Sequence, residues 1–381
     1  MCHFVGIGLM TTQRRICFMS KILTKAVWKC RMQDSYLVGN EVNAVLIATG
    51  GTAYQLYIPS NGCHNACTYC NYGFNHPVRR DEILKTVRHI CRFLPPNMET
   101  LILESSGSFL DDRELPEELQ YQIMEIVAKT KVYRVQIETH YQTISEKKLE
   151  RILQILKGHE ISFEFGLEST SEVTLSIYNK DIDVKKLFQL VKDLDCFGIE
   201  TSLNLLVGAP LLTIQEQVMD ALNSVQEILQ NCPKSTDIVL FPLNIKDYTL
   251  LKHMYNQGRY SIISHWEFIE VLEKIPREAL DRIYISWWGN RVNEFHGENE
   301  IIHPRSCDNC HGSIMKFYTS FVNAESLQEK QRLVKEISKV SCACRMAYEQ
   351  KKTAQKCNKT ISQRLSDEIE IIEKELNLSP N

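Results

Sequence analysis

No stretch of this 381-residue sequence is apolar for long enough to cross a bilayer. Near the N-terminus, MCHFVGIGLMTTQRRICFMSKIL is broken by Arg14 and Arg15. It lacks the long apolar region and small-residue cleavage site of a secretory signal, so a poorly packed extension is expected there. An excess of basic charge is missing too. Lys and Arg total 44 against 47 Asp and Glu, a net charge of −3, which supplies no global attraction to nucleic acid or an acidic membrane. These absences lead to the expectation of a cytoplasmic protein with no membrane partner. What is present is an ordinary globular make-up, 44% hydrophobic and 24% charged, enough for one large domain and an appendage.

Cysteine is the residue in surplus, with 14 copies. Cys63, Cys67 and Cys70 form a trio, and Cys307, Cys310, Cys342 and Cys344 form a later quartet. In a chain of this size such grouping reads as metal ligation in a reducing compartment rather than a disulfide framework.

Between residues 54 and 243 the hydrophobic period switches repeatedly between strand and helix. YQLYIPS (54–60), TLILESS (100–106), YRVQIETH (133–140), ISFEFGLE (161–168), IETSLNLLVGAP (199–210) and DIVLFPLN (237–244) read as six strands. Helices are expected over 80–94, after Pro116, over 145–158 and 184–198, and from the capping box at Thr213 and Glu216 through Ile228. Alternation of this kind implies a parallel sheet with helices outside it, flat or curled. Loops at the C-terminal strand ends then gather on one face, and the trio lies on the first of them.

Three close thiols raise the question of the fourth ligand. A cubane iron–sulfur cluster held by three thiolates keeps one iron open beside a substrate pocket. Zinc completed by His64 or His76 is the alternative, although neither histidine gives a familiar finger spacing.

CHNACTYC (63–70), with Tyr69 just before the last cysteine, resembles the motif of the radical S-adenosylmethionine (radical SAM) enzymes, and the likeness covers roughly residues 50–245. The resemblance implies an α/β fold, a partial (βα)6 barrel, in which the trio binds a [4Fe-4S] cluster whose open iron chelates S-adenosylmethionine. Reduction then gives a 5′-deoxyadenosyl radical. It also implies cofactor-binding roles for residues at later strand ends. Tyr69 belongs to the motif, and Ser105, Ser106, Gly107 and Ser108 would receive the methionyl amino group, serine standing where glycine–glycine–glutamate is usual. Glu168 would meet the ribose, and Gly208 would shape the wall against adenine.

CDNC (307–310) and CAC (342–344) can close one tetrahedral site, either structural zinc or an auxiliary iron–sulfur cluster, with His303 or His311 as substitute ligands. Together with SSGSFLDDRELP, GLEST and LLVGAP, these pairs resemble the radical SAM enzymes of archaeosine formation and their bacterial relatives, over residues 45–350. That resemblance implies tRNA as substrate, an electron donor such as ferredoxin or flavodoxin, and a partner protein supplying tRNA contacts. Radical modification of a peptide or small metabolite is the alternative reaction. A non-catalytic zinc-binding interaction module is the alternative of another class.

The expected organisation is an extension at 1–44, a core at 45–245, a cysteine-containing α-rich extension at 246–350 and a helical tail at 351–381. Trp287 and Trp288 are expected in the core, or stacked on a base at the barrel mouth.

Overall fold

The computed structural model describes residues 12–33, 41–72, 76–286 and 301–378. Its centre is a curled half-barrel of eight strands. Adjacent strands run in the order Val45–Gly50, Ala53–Ile58, Thr100–Ser105, Arg134–Glu138, Glu160–Glu168, Glu200–Val207, Thr236–Pro242 and Ile283–Ile285. All are parallel except Val45–Gly50, which pairs antiparallel with Ala53–Ile58. The six strands expected from sequence are all there. The two edge strands are additions, too short or too irregular in pattern to stand out.

Side-chain alternation divides each strand between two environments. Leu101, Leu103, Val135, Ile137, Phe163, Phe165, Leu203 and Leu205 are buried against the outer helices. The opposite parity carries Glu104, Gln136, Glu138, Glu164 and Asn204 into the half-barrel. Its interior is therefore polar, as a ligand space must be if apolar packing is not to fill it.

Helices Arg80–Arg92, Glu117–Val127, Glu146–Ile155, Val184–Cys196 and Ile214–Asn231 cover the outside. The capping box at Thr213 and Glu216 is formed by reciprocal side-chain and backbone hydrogen bonds. Beyond the barrel, helices Asp308–Val322, Leu327–Ile337 and Ala343–Ala354 add to the same core through Ile314, Phe317, Phe321, Leu333, Ile337 and Tyr348.

A second core gathers at the C-terminal strand ends. There helix Thr12–Arg31 contributes Ile22, Leu23, Ala26 and Val27, and helix Ile361–Glu375 contributes Leu365, Ile369 and Ile372. The expectation of a poorly packed N-terminal extension is thereby corrected for its described part. Its apolar residues at helical spacing cover the cysteine loop and the loops beside it. The tail helix docks on its own chain, where Arg259 bonds Glu368 and Glu375, and Arg364 bonds Glu216. No helix among the described residues is long and apolar enough to cross a membrane. Trp287 and Trp288 lie outside the described residues.

Candidate metal centre

The cysteine loop leaves the end of strand Ala53–Ile58 and is fastened on several sides. Thr68 donates its N–H to Tyr178 O at 3.0 Å and its hydroxyl to Ile177 O at 3.1 Å, and its own carbonyl accepts from Leu251 N at 2.9 Å. Asn179, left-handed at the C-terminus of helix Glu172–Tyr178, donates its side-chain amide to Ala66 O at 2.8 Å. Arg31, in the last turn of the N-terminal helix, donates to Cys70 O at 3.2 Å and Asn65 O at 2.8 Å.

Cys63, Cys67 and Cys70 are free thiols. Cys63 and Cys67 are each only 6% exposed, so the trio is covered by its surroundings and not open at the surface. Burial pushes the Cys67 thiol up to about 11 and the Cys63 thiol well above its usual range, the latter helped by Glu114. Cys63 Sγ, a Glu114 carboxylate oxygen and a His140 ring nitrogen lie within 4.8 Å of one another. His64 and His76 join no such group, so the fold does not assemble the histidine-completed zinc site considered from sequence.

Gly107 backs directly onto Cys63. A Cβ at position 107 would stand 2.6 Å from Cys63 Cβ, 2.7 Å from its sulfur and 2.4 Å from Glu114 Oε2. Only glycine permits this approach. Around it, Ser108 N donates to Glu114 Oε2 at 2.8 Å, while Ser108 Oγ accepts from His140 N at 3.0 Å and pairs with Thr139 Oγ1 at 2.6 Å. Ser106 Oγ pairs with Tyr57 OH at 2.6 Å, and Ser105 Oγ is buried without a partner. Burial lifts the Glu114 carboxyl to about 7, against the pull of the Ser108 N–H.

Glu168 sits at a register shift in its strand and has φ 68°, unusual for a residue with a side chain. The bulge turns its carboxylate onto Lys180, and the pair is buried, with side chains 9% and 8% exposed. Gly166 makes room for them, since a Cβ there would stand 2.7 Å from both Glu168 Oε1 and Lys180 Nζ. Burial alone would depress the Lys180 pKa, but the charge of Glu168 outweighs it and the pKa rises. Tyr69 packs edge-on against Tyr178 with ring centroids 5.1 Å apart, and burial, with the charge of Glu168 nearby, pushes its phenol well above the usual range. Gly208 has φ 111° and lies under Ile263, whose Cγ2 is 2.3 Å from where a Cβ would be; Tyr260 OH donates to its carbonyl at 2.9 Å.

Deeper in the half-barrel, Glu164 accepts from Gln136, and from Asn204 Nδ2 at 2.7 Å. Burial, with Glu104, Glu164 and Glu168 nearby, holds Glu138 well above the usual carboxylate range.

The quartet assembles in full at the starts of two helices. Sulfur separations are 3.1 Å for Cys307–Cys342, 3.3 Å for Cys310–Cys344, 3.3 Å for Cys342–Cys344 and 3.7 Å for Cys307–Cys310. The Trp266 indole N–H donates to Cys344 Sγ at 3.1 Å. His303 and His311 stay outside: their Nδ1 atoms face Asn244 Oδ1 and Ser306 Oγ.

Sequence reading passed over Arg31, Glu114 and Lys180. Arg31 belongs to a stretch read as unpacked, Glu114 lies in a loop with no strand register, and Lys180 reaches the site from beyond a short helix. The YNK sequence, with Asn179 able to end a helix left-handed, was the available signal for Lys180.

Residues 57–225 match the Radical SAM superfamily. The chain is 23% identical over 225 residues to the archaeosine synthase subunit beta of Methanosarcina acetivorans, covering 56% of this chain and 64% of that protein. It is 24% identical over 256 residues to the protein of the same name from Thermococcus kodakarensis, covering 60% and 75%. The chain thus spans less than two thirds of the Methanosarcina protein. Among solved structures, methylornithine synthase aligns over 90% of this chain and 93% of its own at 12% identity and a TM-score of 0.43. Residues 57–225 are thus a radical SAM domain, the domain of a superfamily of enzymes.

Proposed function

We propose that this enzyme modifies a tRNA base in a reaction of the archaeosine type, using a [4Fe-4S] cluster on Cys63, Cys67 and Cys70. The observation that carries the cluster is the trio itself: three unbridged thiols on one loop, with Gly107 stripped of the Cβ that would collide with Cys63. The donor set fits, because soft thiolates suit iron–sulfur centres and neither His64 nor His76 joins a metal-holding group among the described residues. When bound and reduced, the cluster supplies the electron that cleaves S-adenosylmethionine to methionine and a 5′-deoxyadenosyl radical.

The protein's own groups hold and shield. The backbone of Ser105, Ser106, Gly107 and Ser108, at the C-terminal end of strand Thr100–Ser105, serves the methionyl amino group. Glu168, oriented by Lys180, accepts from ribose hydroxyls. Gly208 keeps the wall flat for adenine. The second core, built from both terminal helices, excludes water from the cysteine loop.

The tRNA substrate rests on the two similar proteins named as archaeosine synthase subunits. With a net charge of −3, this chain relies on a partner protein for much of its hold on the tRNA backbone. A ferredoxin or flavodoxin supplies electrons, and the setting is cytoplasmic. The test is anaerobic turnover with total tRNA followed by nucleoside mass analysis. A new nucleoside mass supports the reading; 5′-deoxyadenosine without any nucleoside change transfers it to a peptide or small metabolite.

The quartet holds structural zinc. Four thiolates about 2.3 Å from one tetrahedral zinc stand roughly 3.8 Å apart, close to the 3.1–3.7 Å separations. In a cubane each thiolate binds a different iron, which spreads the sulfurs over a larger tetrahedron. Metal analysis of a Cys63, Cys67 and Cys70 triple-alanine variant tests this. One zinc per chain is expected, and iron with sulfide would overturn it.

A further inference from the structure

Arg31 is 1% exposed, and its guanidinium touches the cysteine loop directly. Its Nε and Nη1 grip the carbonyls of Cys70 and Asn65, and Trp28 stacks on it with 4.8 Å from Cζ to the ring centroid. Nη2 is buried with no acceptor, and no carboxylate among the described residues pairs with Arg31. Arginine cannot shed its proton to escape the problem. A buried charge without a counter-charge is strongly unfavourable, so a fold that keeps one has an anion to set against it. The carbonyls it grips show where that anion is. One belongs to Cys70, and the other lies between Cys63 and Cys67.

We infer that Arg31 is the counter-cation of the loaded cysteine trio, an inference that rests on the trio holding an iron–sulfur cluster. Three thiolates outweigh the positive charge of the cubane core, so the loaded centre is anionic, and reduction adds one more negative charge. Arg31 offsets that charge at close range in a medium where electrostatic interactions are weakly screened. It therefore stabilises the loaded loop over the empty one, and the reduced cluster over the oxidised one. The N-terminal helix, placed by Ile22, Leu23, Ala26 and Val27 in the second core, is the arm that delivers the charge. Arg31 is a positioning residue: it acts through the loop and through the charge of the cluster.

The experiment is an EPR-monitored redox titration of full-length, anaerobically reconstituted protein. Arg31→Gln is expected to lower the reduced-to-oxidised ratio about tenfold at a fixed potential, ~59 mV for one electron, whereas Arg31→Lys stays near wild type. Loading should also raise the melting temperature by less in Arg31→Gln than in wild type. A purely structural arginine would lower the melting temperature of empty and loaded protein equally and leave the ratio unchanged. Should Arg31→Gln fail to fold, Trp28→Glu supplies a competing carboxylate from the same helix and is expected to shift the ratio in the same direction. An unchanged ratio in the folded variants, at full cluster occupancy, overturns the inference and leaves the cluster assignment standing. Wild-type protein that takes up no cluster removes the assignment itself.

Discussion

Gly107 and Cys63 are in such close contact that the space for a Cβ on one is taken by the side chain of the other, at 2.6 Å. The contact couples the loop after strand Thr100–Ser105 to the first cysteine of the trio. Gly107→Ala should displace Cys63 at an overpacking cost of about 1–3 kcal/mol. Iron and sulfide content after limiting reconstitution should fall roughly tenfold while far-ultraviolet dichroism is preserved. Full loading in the variant would show that the loop yields.

The Glu168–Lys180 pair makes a sharper claim about stability. Both side chains are under a tenth exposed, so removing one partner strands a buried charge. Lys180→Met should cost about 3–5 kcal/mol in urea unfolding at pH 7. Adding Glu168→Gln should recover much of that loss, because the stranded carboxylate is gone. Equal losses in the single and double variants would contradict the coupling.

The two cysteine sets should fail independently. Cys67→Ala should abolish S-adenosylmethionine cleavage and leave the zinc content at one per chain. Cys310→Ser should remove the zinc and lower the melting temperature by several degrees. Zinc lost from both variants, or from neither, would show that the sets are not the separate centres described.

Glu267 yields a pH dependence of defined sign. It is buried with Oε1 unpaired, and burial lifts its carboxyl to about 8. Its folded pKa lies above the unfolded value of ~4.3. The folded state therefore binds a proton that the unfolded state releases, and stability declines as pH rises from about 4.3 towards 8. Glu267→Gln should be near neutral at pH 4 and stabilising by on the order of 2 kcal/mol at pH 8. A stabilisation that does not grow with pH would refute it.

Much of the fold was legible because the apolar residues change period cleanly. Phe163 and Phe165 alternate in their strand, and Ile83, Leu84 and Val87 share one helical face, so local pattern and tertiary burial agree. The assembly of the quartet was legible because cysteine spacing is itself the signal. Strand Ile283–Ile285 was not, since three residues carry too little periodicity. Helix Thr12–Arg31 was misjudged because its apolar face has meaning only against the tail helix and the cysteine loop, both distant in sequence. The same distance hid Arg31 and Lys180. Each acts across a gap that local pattern does not span.

The measurement closest to the central claim is product analysis after anaerobic reconstitution with iron and sulfide, followed by S-adenosylmethionine and dithionite. A brown protein that releases 5′-deoxyadenosine and methionine, with release lost in Cys67→Ala, is the predicted result. A fully loaded cluster that releases no 5′-deoxyadenosine, or a colourless protein holding zinc at the trio, would contradict it.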